Sequence, residues 1–63
     1  MNRPVLTSRE LEIMTLLVKG MSSKDMANDL FISKRTVEFH ITNLMGKFGV
    51  NTRMKLILAY QLF

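Results

Sequence analysis

Apolar positions recur along this chain at three- and four-residue intervals, broken by short polar stretches, which is the spacing of helices with one buried face. Strand signals are weak: apolar and polar residues never alternate for long, and the one proline stands near the N-terminus. In "LTSRE", Thr7 stands as N-cap with Glu10 three residues on, the spacing of a capping box, and Leu6 and Leu11 occupy the staple positions. A first helix is predicted from about Ser8, with Leu11, Met14, Leu17 and Val18 as its buried side. Gly20, suited to a left-handed C-terminal residue, stops it near Lys19.

"GMSSKDMANDLFIS" repeats the device. Ser22 caps with Asp25 at the third position, Met21 and Met26 stand as the staple pair, and a short second helix ends around Leu30 with Met26, Ala27 and Leu30 inward. Phe31 and Ile32 make an apolar turn. Ser33 caps a third helix that runs to about Phe48, where Gly49 stops it, and Asn51 caps a fourth that reaches the end of the chain. The expectation is an all-α, four-helix domain in which helices 2 and 3, joined by a tight turn, form a helix-turn-helix unit. Residues 1–5 read as an N-terminal tail or linker remnant and residues 6–63 as the domain.

Composition narrows the class. Sixty-three residues hold one small core, and 48% hydrophobic content is too high for a disordered tail. No apolar run approaches the roughly 20 residues of a membrane span. The absence of cysteine removes disulfides and thiolate metal sites, and the N-terminus lacks a signal peptide's apolar block, so a cytoplasmic setting is expected. Residues 1–32 balance four bases against four acids. The net charge of +4 therefore arises beyond Ser33, where Lys34, Arg35, Lys47, Arg53 and Lys55 face only Glu38. Positive charge gathered in one half points to a polyanion, most often nucleic acid.

Helix 3 shows why. Val37, Ile41, Leu44 and Phe48 fall in one narrow arc and dock the helix on its neighbours. The opposite side carries Arg35, Glu38, Phe39, Thr42, Asn43 and Gly46, which puts a phenylalanine outward among polar residues. The second helix of a helix-turn-helix unit enters the major groove, and these side chains suit base edges. Arg35 donates to guanine or phosphate, Glu38 accepts from cytosine N4, Phe39 meets a thymine methyl, and Thr42 and Asn43 hydrogen-bond a base. Two plainer readings stand beside this one: Phe39 lying over a neighbour on a solvated face, and Glu38 paired with Lys34 one turn back. Gly46 either admits a close backbone approach or is merely tolerated.

Phosphate contacts are expected to flank the reading face. Lys24, Ser22 and Ser23 lie at the positive N-terminal end of helix 2, with Lys34, Thr36 and Lys47 as further candidates. His40, between the two faces, reads as a packed structural residue. No nucleophile and carboxylate surround it, and there is no phosphate-binding glycine loop or metal-ligand cluster, so neither enzyme activity nor a cofactor, metal or small-molecule ligand is expected.

The stretch "LTSRELEIMTLLVKGMSSKDMANDLFISKRTVEFHITNLMGKFGVNTR", Leu6 to Arg53, resembles the LuxR/FixJ/NarL-type DNA-binding domain nearly throughout. The resemblance implies a tetrahelical helix-turn-helix fold and sequence-specific transcription control, as the output domain of a response regulator or a quorum-sensing receptor. Carried over by position, it places base contacts at Glu38, Phe39 and Thr42 and phosphate contacts at Lys24, Thr36 and Lys47. It assigns Glu10, Glu12 and Arg53 to capping and interhelix ion pairs. Glu38 departs from the family's commoner lysine, which leaves its base preference open. Ser23 and Asp25 replace the usual Asn and Glu while keeping the capping logic.

Helix 4, "TRMKLILAYQLF", is apolar around more than one face. Leu56, Ala59 and Leu62 are expected to complete the core. Met54, Ile57, Leu58 and Tyr60 then need a second burial surface, and a homodimer through helix 4 supplies one. Packing into a crowded core, or against another domain of a longer parent, are the alternatives. The expected partners are double-stranded DNA, a second copy and, as a further candidate, RNA polymerase. The competing function is a protein-interaction module that binds a regulator or polymerase through Phe39 and helix 4 without reading DNA. The length leaves no room for a receiver or ligand-sensing domain, so the chain is either an excised output domain or a regulator controlled by its own abundance.

Overall fold

The computed structural model describes residues 4–62, and residues 1–3 of the expected tail lie outside that range. Four helices follow one another: α1 (Ser8–Val18), α2 (Ser23–Leu30), α3 (Lys34–Phe48) and α4 (Arg53–Leu62). No described residue lies in a strand. α3 is the central element, in contact with each of the other three helices.

Local chemistry sets the helix starts. The Thr7 N–H donates to Glu10 Oε1 at 2.9 Å, and the Glu10 N–H donates to Thr7 Oγ1 at 3.1 Å, completing the capping box. Ser22 Oγ accepts from the Asp25 N–H at 3.1 Å, and Ser33 Oγ accepts from the Thr36 N–H at 3.0 Å. One expected cap is corrected: α4 is capped by Thr52, whose Oγ1 accepts from the Lys55 N–H at 3.1 Å. Asn51 instead accepts from Lys55 Nζ at 3.4 Å. The cap falls on the residue directly before the first helical one, and α4 begins at Arg53.

Helix ends follow from left-handed residues. Gly49, at φ 68°, ends α3, with the Val50 N–H returning to the Met45 carbonyl at 3.0 Å. α2 ends without a glycine: Phe31 itself takes φ 58°, a conformation in which a bulky side chain is an outlier.

The core consists of Ile13, Met14, Leu17, Met26, Ala27, Val37, Ile41, Leu44 and Leu56. The stripe expected on α3 is in place, with Phe48 packed half-buried at its end. On α1 the buried face is Glu10, Ile13, Met14 and Leu17, an i, i+3, i+4, i+7 set. Leu11 and Val18, expected inside, are exposed, because this set rotates the apolar arc away from them. On α4 Leu56 is buried and Ala59 half-buried, but Leu62, assigned to the core, is 86% exposed near the end of the described chain.

Replacing Thr7 with alanine removes the capping box from the first helix. The expected loss is about 1 kcal/mol of unfolding free energy, read from the urea midpoint.

Candidate nucleic-acid interface

α3 owes its orientation to its two faces. Val37, Ile41 and Leu44 are buried, so the side chains half a turn away are forced outward. Arg35, Glu38, Phe39, Thr42 and Asn43 are all exposed there, as the sequence predicts. Phe39 is 62% exposed, its ring edge-on to His40 at 5.8 Å. The reading in which Phe39 lies over a neighbour is thus partly realised through His40, yet most of the ring remains open. His40 is half-buried.

Hydrogen bonding limits what each outward group can do. The Thr42 hydroxyl donates to the Glu38 carbonyl at 3.0 Å. Its proton is committed, so toward a ligand Thr42 offers an acceptor lone pair and a methyl. Glu38 makes no ion pair with Lys34: among the described residues the ion pairs are Arg9–Glu12 and Lys47–Glu10. Glu38 and Thr42 line a cleft of about 110 Å³ with Ile41, Met45 and Arg53. A Cβ added at Gly46 meets nothing within 4 Å, so packing inside the chain does not require glycine at that point.

The flanking candidates divide. Ser22, Lys24 and Lys34 are exposed. At the start of α2, Ser22 caps the Asp25 N–H, and the Ser23 and Lys24 amides precede the first residue able to donate within the helix. Those amides and the Lys24 ammonium form one basic corner, which Asp25 partly offsets. Thr36 is half-buried, its hydroxyl 2.8 Å from that of Ser33.

Two candidates are held by contacts within the domain. Ser23 is buried, and its Oγ accepts from Arg53 Nη1 at 3.1 Å, tying the start of α4 to the start of α2. Its side chain is therefore occupied. Lys47 is exposed, but its Nζ turns back onto the domain, meeting Glu10 Oε1 at 2.5 Å and the Val5 carbonyl at 3.1 Å. The sequence separations of 30 and 37 explain why local spacing did not reveal these pairs. Of the three residues expected in structural ion pairs, Glu10 fits through Lys47. Glu12 pairs within α1 with Arg9 at 3.8 Å, and Arg53 hydrogen-bonds rather than ion-pairs.

Burial pushes the Glu10 carboxyl up, but the hydrogen bonds from Lys47 and from the Thr7 backbone, with the Lys47 charge, bring it below its ordinary value. Among the described residues no three His, Asp or Glu side chains gather where a metal ion could be held, and no helix is long and apolar enough to cross a membrane.

α4 presents a second exposed surface. Met54 is 65% and Leu58 52% exposed, and together with Leu62 they recur every fourth residue along one side. Ile57 and Tyr60, expected to share that surface with Met54 and Leu58, are instead half-buried and packed against the core. Tyr60 meets Phe48 edge-on at 6.3 Å. A narrow domain buries one side of α4 and leaves the other.

Residues 4–60 match the family described as bacterial regulatory proteins, luxR family. The spore germination protein GerE of Bacillus subtilis (strain 168) is 45% identical over 56 residues, which span 89% of this chain and 76% of GerE. The oxygen regulatory protein NreC of Staphylococcus aureus (strain JH9) is 43% identical over 53 residues, and the match spans only 24% of NreC. Among solved structures, the GerE transcription factor superposes with a TM-score of 0.82 at 47% identity, covering 90% of this chain and 85% of that one. The response regulator ChrA of a heme-sensing two-component system gives 0.89 at 37% identity, covering 98% of this chain and 31% of ChrA. The DNA-binding domain of the response regulator ComA, solved with the anti-activator RapF, gives 0.87 at 33%, covering 90% and 98%.

A lowered carboxyl makes a contribution to stability that is complete above the unfolded value and fades as pH falls through the folded one. Stability should therefore drop on acidification below about pH 4.5, the ordinary carboxylate value. A Glu10→Gln variant should start lower at neutral pH and lose less over that acid range, as measured by urea unfolding at a series of pH values.

Proposed function

The chain belongs to the luxR family of bacterial regulatory proteins and is a DNA-binding helix-turn-helix domain of a transcription regulator, and from that premise we propose that α3 is its recognition helix. The supporting observation is the outward row Arg35, Glu38, Phe39, Thr42 and Asn43, opposite the buried stripe that fixes the helix. In the major groove, Arg35 reaches guanine or a phosphate, Glu38 accepts from cytosine N4, and Phe39 covers a thymine methyl. Thr42, with its proton committed to the Glu38 carbonyl, accepts from an amino group or contacts a methyl. The open surface at Gly46 suits close approach of a DNA backbone.

Phosphate contacts come from Lys24, Ser22 and the free amides of α2, with Lys34 and Thr36 at the start of α3. Lys47 serves first as an interhelix anchor, since a phosphate contact would compete with Glu10 and the Val5 carbonyl. The exposed row Met54, Leu58 and Leu62 supports dimerisation through α4, which would place two α3 helices on half-sites related by a dyad. A DNA partner is consistent with a cytoplasmic setting. No catalytic role is assigned to any residue.

The test separates positioning from reading. Lys24→Ala should weaken binding to all duplexes alike and lower the salt slope by about 1. A Phe39→Ala, Thr42→Ala double variant should instead reduce the preference for a selected site over random DNA, by about 1–3 kcal/mol for each good base pairing removed. Equal losses on specific and random DNA in the double variant, with the fold intact, would remove α3 as the reader.

Leu58→Glu addresses α4 separately. Cooperative binding to paired half-sites should disappear while affinity for one half-site stays within about twofold, because a charge on the exposed seam opposes pairing and leaves the core untouched.

A further inference from the structure

We propose that the groove between α1 and the end of α2 docks a basic amphipathic helix of a partner protein, on a face separate from the one that reads DNA. The groove is lined by Glu12, Thr15, Leu16, Asp29 and Leu30 and encloses about 200 Å³. It shares no residue with the outward row of α3.

Its chemistry selects the occupant. Leu16 and Leu30 give it an apolar floor, each only half-buried by the domain itself. The Thr15 hydroxyl donates to the Leu11 carbonyl at 2.9 Å, so the groove's one hydroxyl has already spent its proton. Glu12 and Asp29 are exposed and acidic. Asp29 has no ion pair among the described residues, and Glu12 has only Arg9 at 3.8 Å, an exposed contact that neutralises it weakly. Acids beside an apolar floor repel a phosphate backbone and attract Lys or Arg set along an apolar stripe.

Phe31, the next residue after Leu30, is a further exposed apolar side chain outside the groove's own lining. It is 94% exposed, and the backbone holds it at φ 58° with its N–H bonded to the Ala27 carbonyl. Large aromatic side chains are enriched among interface anchors, and this one is held open on a backbone conformation that disfavours bulky residues.

A randomised library of helix-favouring peptides, displayed on phage and selected against the full chain, tests this. Enriched peptides should combine an apolar stripe with Lys or Arg, and should shift the amide resonances of α1 and α2. Their affinity should fall by about tenfold or more in a Glu12→Gln, Asp29→Asn variant and fall again in Phe31→Ser, while both variants keep parental DNA affinity. The proposal is overturned by no enrichment, by acidic enriched peptides, or by binding that the variants leave unchanged. Shifts confined to α3 or α4 would also overturn it. A second copy carries related chemistry on α4 in Met54, Lys55 and Leu58. Self-association of the parent chain abolished by the Glu12, Asp29 substitutions would overturn the separate partner in favour of that copy.

Discussion

The buried stripe of α3 is the constraint on which the rest of the domain depends. Val37, Ile41 and Leu44 carry the central helix into the core it shares with α1, α2 and α4, and the described residues form one such core. Burying that stripe fixes the rotation of α3 about its own axis. Once the rotation is fixed, the direction of Glu38, Phe39, Thr42 and Asn43 is no longer free. The apolar side of one helix thus sets which mostly polar side chains its other side presents.

Packing sets that rotation, and two polar ties between distant segments reinforce the arrangement. Lys47, in the last turn of α3, closes on Glu10, the same carboxylate that completes the cap of α1. α3 is thereby joined at its far end to the start of the first helix and to the backbone at Val5. At the other tie, Arg53 holds the start of α4 against Ser23, beside the amides proposed to receive a phosphate. Both pairs put positive groups to structural use. The basic surface left for a polyanion is therefore smaller than the net charge implies, and Lys24, Lys34 and Arg35 are its exposed part around α2 and the start of α3.

Charge and apolar surface are sorted by face. α3 turns outward a mixed, mostly polar row; α4 turns outward Met54, Leu58 and Leu62; the groove of α1 and α2 combines Leu16 and Leu30 with Glu12 and Asp29. A domain of four short helices cannot enclose all its apolar side chains, and three of the exposed ones, Met54, Leu58 and Leu62, share one side of α4. These faces make three chemically distinct surfaces: one mostly polar, one apolar, and one acidic beside an apolar floor.

The sequence by itself determined the features whose causes lie within one or two helical turns. Thr7, Ser22 and Ser33 as caps, Gly20 and Gly49 as stops, and the two faces of α3 all rest on spacings of three to eight residues, which a helix converts directly into contacts. Even there, the buried side of α1 shifted from Leu11 and Val18 to Ile13, because periodicity shows that an apolar arc exists but the neighbouring helices choose which part of it to cover. Tertiary structure alone decided the partners of Lys47 and Ser23, the exposure of Leu62 and the inward lean of Ile57 and Tyr60. Those outcomes depend on which helices meet and at what depth, and residues separated by 30 positions or more carry no local signal of it.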